Sequence, residues 1–495
     1  MKDQWRSGLK NQEVQMRLKQ KAIGGLIWTF SQQFSVQAIN FVVQLVLARL
    51  LLPEDFGLVA MLSVFMALGT SLTDSGLTSS LIRTKEAAQR DYSTVFFMNL
   101  VASLLIYIVL FFSAPLIASF FDQPMLVPII RLYTCTFIIR AFSQVQQTKL
   151  TKEMNFKLQM LIQIPSVIIA GIAGVLFAYH GMGVWSLVYM NIIQVSLSAI
   201  QLWFRTGWWP SLEFDWQLLK SHLNFGYKLT LAGILNTIFT NLYNVIIGKY
   251  FSATQLGYYN RADTLRMFPV QNLATALNKV TYPMFSSIQE DNTKLKEAYR
   301  MLMQQVIFWL LPLMAILIIV AKPLFVFLLT DKWLPAVPYF QWLCIAGLMY
   351  PLNAYNLNIL NVKGRSDLFL RLEVIKKVII TLGVILAIPY GIYGLIYFQV
   401  ASTILAYFIN SYYSGKLIDY SASKQLMDIL PSLALATLVG VMVWLFYRIV
   451  EEYLNWPKWV VISIVGISYF GVYLIVGYLL RLRAYRDFKT LILKR

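Results

Sequence analysis

Two arginines, Arg140 and Arg261, stand inside long apolar stretches. A charge held in hydrocarbon is expensive, so it faces a wet cavity, pairs with another group, or snorkels to the interface. A guanidinium offers a planar fork of donors that matches phosphate or carboxylate oxygens. Three carboxylates, Asp74, Asp263 and Glu373, stand in similar stretches and are candidates for coupling to a proton or sodium ion. Each also has a plainer reading. Asp74 lies near the end of its stretch, where it would cap or pair. Asp263 is three residues from Arg266, and Glu373 is within reach of Lys376 or Lys377, so both suit intrahelical pairs. Arg261 lies about two turns from the end of its stretch, so snorkelling competes with a cavity role. Arg131 points away from Arg140 and suits the interface.

Neutral polar groups form a second pattern. Gln33, Gln37, Asn40 and Gln44 share one helical face within about 60°. Asn236, Thr240 and Tyr243 share another, with Asn244 at its edge. Such stripes line a cavity or make interhelical hydrogen bonds. The recurrence of the stripe in two related segments favours a cavity. Arg261, Thr264, Gln271, Asn272, Thr275, Asn278 and Lys279 fall within an arc of about 120°, with Asp263 and Arg266 on another side. Pro269, Pro312 and Pro351 interrupt their stretches as hinges or static kinks.

Several chemistries lack their residues. The only histidines are His180 and His222, far apart, and the only cysteines are Cys135 and Cys344, in apolar context. They give no metal site, no disulfide framework and no basis for a catalytic triad. No phosphate-binding G-x-x-x-x-G-K-[ST] loop occurs. No loop is long enough for glycosyl-transfer or ligase chemistry. The expectation is a protein that is not an enzyme, uses no cofactor, and moves its substrate by exchange or ion coupling.

About fourteen apolar segments must position these residues. They run 23–47, 56–80, 92–113, 126–147, 158–178, 184–204, 229–249, 256–282, 301–321, 337–361, 368–388, 393–413, 429–447 and 459–480. A bilayer core takes about 20 apolar residues per helix, and only helices satisfy their own backbone there. The mean hydropathy of +0.61 and a charged fraction of 13% agree. The net charge of +19 belongs to membrane topology rather than to nucleic acid. With a cytoplasmic N-terminus, roughly 30 of the 42 Lys and Arg fall on the cytoplasmic side. The basic stretch through Lys2, Arg6, Lys10, Arg17, Lys19 and Lys21 precedes an uncleaved first helix.

The chain also repeats itself at a spacing of about 200 to 210 residues. Ala48-Arg49-Leu50-Leu51 with Gly57 resembles Gly248-Lys249-Tyr250-Phe251 with Gly257; Val127-Pro128 resembles Val337-Pro338. Gly183-Val184-Trp185-Ser186-Leu187-Val188-Tyr189 resembles Gly391-Ile392-Tyr393-Gly394-Leu395-Ile396-Tyr397. The expected fold is an all-α polytopic membrane protein with two parallel-repeat six-helix lobes plus two C-terminal helices. The expected organisation is a basic N-terminus (1–22), a first lobe (23–204), a cytoplasmic linker (205–228) and a second lobe (229–413). Two further spans (414–480) and a basic cytoplasmic tail (481–495) follow. Trp208, Trp209 and Trp216 suit an amphipathic linker at the interface.

Four segments carry a family resemblance. Thr73-Asp74-Ser75-Gly76-Leu77-Thr78-Ser79-Ser80-Leu81-Ile82 resembles the D-x-G-L-[ST]-x-[AS]-[LI]-I segment of Wzx-type polysaccharide flippases. Leu256-Gly257-Tyr258-Tyr259-Asn260-Arg261-Ala262 resembles the L-G-x-Y-N-R-A segment of the colanic acid and teichuronic acid exporter branch. Met154-Asn155-Phe156-Lys157 and Gly181-Met182-Gly183-Val184-Trp185-Ser186-Leu187-Val188 resemble the same branch in the same order. The resemblance implies the multidrug/oligosaccharidyl-lipid/polysaccharide exporter fold. It implies alternating-access transport of a polyprenyl-pyrophosphate-linked oligosaccharide to the outer face of the bacterial plasma membrane. Glycosyltransferases and a polysaccharide polymerase would be partners, besides membrane lipids. Arg140 and Arg261 would then meet the pyrophosphate, and the two polar stripes the sugars. A drug/cation antiporter, a peptidoglycan-precursor flippase and a membrane polymerase or ligase are the competing readings.

Overall fold

The computed structural model describes the backbone of residues 2–74, 76–84, 87–453 and 456–493. Side chains of 2–23, 26–27, 225, 228–229, 273–280, 453 and 490–493 lie outside the described residues. The N-terminal basic cluster, and Thr275, Asn278 and Lys279, fall there.

The described chain is helical from end to end. Its helices are α1 (Lys2–Leu50), α2 (Pro53–Asp74), α3 (Leu77–Arg83), α4 (Gln89–Phe120), α5 (Leu126–Tyr133), α6 (Cys135–Lys152), α7 (Phe156–Tyr179) and α8 (Val184–Thr206). There follow α9 (Trp216–Thr240), α10 (Leu242–Tyr250), α11 (Ala253–Ser287), α12 (Asn292–Ile319), α13 (Ala321–Leu329) and α14 (Val337–Val362). The last are α15 (Ser366–Ala387), α16 (Gly391–Leu417), α17 (Ala422–Tyr453), α18 (Lys458–Leu479) and α19 (Arg483–Leu493). Each of the fourteen expected segments falls on one of these helices or on a consecutive pair. Among the described residues ten stretches, or eleven with the bent pair α9–α10, are long and apolar enough to cross a membrane. One of the ten, Ser366–Leu417, holds both α15 and α16.

Local sequence explains where helices begin. Asp215 accepts hydrogen bonds from the backbone N–H of Gln217 (2.8 Å) and Leu218 (3.1 Å), capping α9. Asp291 does the same for Thr293 and Lys294 at the start of α12. These bonds favour the ionised form. They hold the Asp215 carboxyl below its ordinary range, first through Leu218, and the Asp291 carboxyl likewise, first through Lys294.

The chain divides into two compact units, 1–257 and 258–495. In the first unit α1 packs on α7, α7 on α8, and α6 on α4 and α8. Helices α9 and α10 pack on α2 and belong to this unit, whereas the repeat groups 229–413 together. Backbone contact is close at two places. Gly76 has φ +66°, and a Cβ there would sit 2.6 Å from the Gly226 Cα. A Cβ on Gly57 would sit 1.8 Å from the Ala253 carbonyl oxygen, and one on Gly257 1.9 Å from that of Pro53. The stretch before α9 is stitched to the start of α4. Trp208 is buried with Leu77, Tyr92 and Phe96, and its Nε1 donates to Gln89 Oε1 (2.7 Å). Trp209 and Trp216 are exposed.

The core of the second unit is rich in buried tyrosine, and each hydroxyl named here has an acceptor, as burial demands. Tyr469 donates to the Ala436 carbonyl (2.6 Å) and Tyr473 to that of Phe308 (3.1 Å). Tyr299 and Tyr407 both reach Gln425 Oε1. In both units large apolar side chains face outward, among them Phe112, Leu116 and Ile467, each 74% exposed. Such surfaces belong in hydrocarbon.

Candidate functional site: a polar cavity beside Arg140

Helices α6, α7 and α8 of the first unit enclose a cavity of about 220 Å³. Arg140, Ser143, Gln144 and Gln147 come from α6, Gln159, Gln163 and Ser166 from α7, and Gln194 and Ser198 from α8. Within each helix the spacing of three or four residues puts these groups on one face. Ile162, Val195 and Leu202 complete the wall.

Much of the polar lining is fixed by bonds around its edge. Gln201 Nε2 donates to Ser166 Oγ (2.9 Å), Gln159 Nε2 to Thr151 Oγ1 (2.9 Å), and Gln163 accepts from Gln32. Gln144 Nε2 donates to Asp74 Oδ1 (3.2 Å) and to Thr78 Oγ1 (3.2 Å). Asp74 is half-buried and also accepts from Thr78. So Asp74 is a paired group at the end of α2, joined through Gln144 to the cavity wall. Arg140 is exposed, and its guanidinium makes no ion pair or hydrogen bond among the described residues. It offers a forked donor beside a ring of amides and hydroxyls. That set can hold an anionic oxygen at one point and hydroxyl-rich groups around it.

The other residues singled out from sequence are dispersed. In the first unit Gln33 and Asn40 are exposed, and Gln37 and Gln44 are half-buried. It is their neighbour Gln32 that reaches across to α7. Asn236 and Thr240 are exposed just before a 44° bend between α9 and α10, and Thr240 turns its hydroxyl onto the Asn236 carbonyl (2.8 Å). Tyr243 is half-buried beyond the bend, and Asn244 donates to Ser63 of α2 (3.1 Å). Arg131 lies over the Phe111 ring, 4.5 Å from its centre.

In the second unit Arg261 is 5% exposed and lies 5.5 Å from the centre of the Trp333 ring, a cation–π contact. Asp263 pairs with Arg266 at 2.6 Å, and Arg266 Nη1 also donates to the Leu343 carbonyl (3.1 Å). Glu373 pairs with Lys376 on α15. Both carboxylates are thus engaged in the intrahelical pairs that their spacing suggests. Thr264 and Gln271 are exposed, and Asn272 donates to the Phe268 carbonyl (2.8 Å).

One of the histidines sits in a buried hydrogen-bonded relay. His222 of α9 joins Ser80 of α3 and Asp91 of α4. Ser80 Oγ is 2.7 Å from His222 Nδ1, and His222 Nε2 is 3.3 Å from Asp91 Oδ1. A single tautomer satisfies all three: Ser80 donates to Nδ1, and Nε2–H donates to Asp91. The geometry is that of a hydrolase triad, but Ser80, His222 and Asp91 are 7%, 4% and 8% exposed. A nucleophile needs room for its substrate, and here the relay serves packing. Among the described residues no cluster of three or more His, Cys, Asp or Glu suits a metal.

Sequence reasoning found Arg140 but missed its surroundings. The signal was present: Gln159, Gln163 and Ser166 recur at i, i+4 and i+7, and so do Gln194, Ser198 and Gln201. These are the periodicities that marked the α1 stripe.

A family model described as "Polysaccharide biosynthesis protein" matches residues 46–338. The lipopolysaccharide biosynthesis protein WzxC of Escherichia coli is 26% identical over 405 residues, covering 80% of this chain and 82% of that one. The teichuronic acid biosynthesis protein TuaB of Bacillus subtilis is 27% identical over 303 residues, covering 60% and 62%. Among solved structures, the lipid II flippase MurJ in an inward closed conformation aligns with a TM-score of 0.72 at 14% identity, over 94% of this chain and 99% of that one. An inward-facing multidrug resistance MATE transporter aligns with a TM-score of 0.59 at 15% identity, over 78% and 96%. These two likenesses establish the fold, that of a polytopic helical membrane protein.

Proposed function

Because this chain belongs to the polysaccharide biosynthesis protein family, we propose that it is a flippase for a lipid-linked oligosaccharide. It moves a polyprenyl-pyrophosphate-linked glycan from the cytoplasmic to the outer face of the bacterial plasma membrane, for surface or exopolysaccharide synthesis. The observation that carries this reading is the α6–α8 cavity, in which an exposed arginine stands among glutamines and serines.

Arg140 takes a pyrophosphate oxygen through its fork of donors. Gln147, Gln163, Gln194 and Ser198 exchange hydrogen bonds with glycan hydroxyls as these leave water. Arg261 is a second cation to test for the same role. Gln33, Gln37, Asn40, Gln44, Asn236, Thr240 and Tyr243 extend the hydrogen-bonding surface. Asp74, joined to the cavity by Gln144, is the first choice for ion coupling, ahead of the paired Asp263 and Glu373. The prenyl chain stays in apolar surroundings. A cavity in the second unit of about 330 Å³, walled by side chains such as Leu311, Ile318, Leu433 and Trp444, has the matching chemistry. Transport proceeds by alternating access, with the repeats 23–204 and 229–413 as the moving parts. Both termini are cytoplasmic, as the lysine and arginine bias asks. The protein makes and breaks no covalent bond of its substrate. Glycosyltransferases supply the substrate, and a polymerase consumes it.

The test is flipping of a fluorescent polyprenyl-pyrophosphate oligosaccharide in proteoliposomes, beside an Arg140→Ala variant of equal thermal stability. Movement by the wild type and its loss in the variant support the reading. Movement that survives the change keeps the flippase and removes Arg140 from the site. No movement with several glycans and ion gradients defeats the function.

A further inference from the structure

At the face where the C-terminal tail leaves the membrane, the second unit holds a cavity of about 240 Å³. Its wall joins α12, α17 and the turn from α18 into α19, and includes Arg300, Gln304, Asp428, Ser432, Arg481 and Arg483. The turn is held in place. Arg481 has φ +50°, Trp309 meets Phe488 with ring centres 4.7 Å apart, and Gln305 Nε2 donates to the Ala484 carbonyl (2.5 Å). Helix α19 is amphipathic, with Tyr485 and Phe488 turned inward and Arg486 and Lys489 outward. Such a helix lies along the interface plane.

Two polar atoms in the wall have no hydrogen-bond partner: Arg300 Nε, a donor, and Gln304 Oε1, an acceptor. The Gln304 side chain is oriented by its Nε2, which donates to the Asp428 carbonyl (3.2 Å), and the residue is only 7% exposed. Buried polar groups left unpaired are costly, so this wall is incomplete without an occupant. Charge narrows the occupant. Arg300 is matched by Asp428, and Arg483 by Asp487 at 3.8 Å. Arg481 is exposed and makes no ion pair among the described residues. One net positive charge fits the single negative charge of a phosphodiester better than the higher charge of a pyrophosphate.

We propose that this cavity binds the headgroup of an anionic phospholipid that carries hydroxyls, as phosphatidylglycerol does. Arg481 and Arg483 hold the phosphate oxygens. Arg300 Nε supplies a further donor behind them, and Gln304 Oε1 accepts from a headgroup hydroxyl. Basic pockets between spanning helices are suited to such headgroups. The site lies apart from the α6–α8 cavity in sequence and in chemistry, and it does not depend on what the protein transports.

The experiment is thermal unfolding of the purified full chain in neutral detergent, titrated in parallel with phosphatidylglycerol, phosphatidylcholine, inorganic phosphate and a polyprenyl pyrophosphate. Phosphatidylglycerol is expected to raise the midpoint selectively. Combining Arg481→Gln with Arg483→Gln is expected to weaken that response about tenfold or more. Arg486→Gln with Lys489→Gln, on the outer face of α19, should change it less than about twofold. Gln304→Leu should abolish the preference for phosphatidylglycerol over phosphatidylmethanol, a diester without hydroxyls. If the double variant fails to fold, Arg481→Gln alone carries the test. Equal responses to both phospholipids, an unchanged response in the arginine variants, or an equal loss in the outer-face variant would overturn the site. Displacement of phosphatidylglycerol by inorganic phosphate or by the polyprenyl pyrophosphate at lower concentration would assign the cavity to that ligand instead.

Discussion

Helices α6–α8 of the first unit and α14–α16 of the second stand at corresponding places in the repeat, yet they treat their polar residues in opposite ways. In the second unit the polar groups are zipped together. Asn410 Nδ2 donates to Asn353 Oδ1 (2.8 Å), Ser414 to Asn356 Oδ1 (2.5 Å), and Asn353 Nδ2 to the Thr403 carbonyl (3.2 Å). Asn356, Asn410 and Ser414 are fully buried. In the first unit the polar groups surround open space. Side-chain length separates the two. At the repeat offset Arg140 corresponds to Tyr350 and Ser143 to Asn353, while Gln194 and Ser198 correspond to Ser402 and Ala406. Short amides and hydroxyls let helices close and bond across the seam. An arginine and several glutamines hold them apart. Polar residues in a span therefore do not by themselves mark a cavity; their reach decides it.

The largest effect should come from the first unit's own zipped cluster. His222→Leu leaves Asp91 and Ser80 buried without their shared partner. It should lower stability by about 3 kcal/mol in denaturant unfolding in micelles; a loss below 1 kcal/mol would mean that water replaces the imidazole. Next, Arg140→Ala should slow flipping about 10- to 100-fold, the worth of a hydrogen bond to a charged group. Tyr350→Ala should slow it less than about threefold. Equal losses would dissolve the distinction between the two helix triplets. Asn410→Leu should then cost about 1 kcal/mol of stability with transport retained, whereas Gln163→Leu should do the reverse. Melting curves and flipping rates on the same preparations would separate the pair.

The smallest effect is one the units share. The caps by Asp215 and Asp291 hold both carboxyls below their unfolded values. Their contribution is therefore complete above the unfolded carboxylate pKa, and it is lost as pH falls through the lower folded value. Amide exchange at Gln217 and Thr293 should rise, relative to mid-helix amides, only at the acid end of a titration. A rise already present at neutral pH would contradict the cap.

What was legible in the sequence depended on distance along the chain. Each apolar segment announced a helix because about 20 residues of hydrocarbon leave no other choice. Asp263–Arg266 and Glu373–Lys376 were legible because three residues of helix bring their side chains together. The α1 stripe was legible as a face, but it is Gln32, one residue and 100° away, that meets Gln163. The cavity was half legible. Arg140 stood out by charge, while the glutamines on α7 and α8 carry no charge to mark them. The Ser80–His222–Asp91 relay was not legible at all, since no local pattern joins residues 142 and 131 positions apart.

That separation has a meaning for the order of synthesis. His222 leaves the ribosome 142 residues after Ser80. At about 5–20 residues per second, the interval is roughly 7–28 s. Once Phe120 is made, and through the rest of that interval, helices α3 and α4 are complete while the imidazole that joins them is not. A nascent chain stopped at residue 204 would contain every helix of the first repeat and still lack the residue that closes its first compact unit. The expected lobe boundary at residue 204 and the point at which Ser80 and Asp91 gain their shared partner are thus different places in the message.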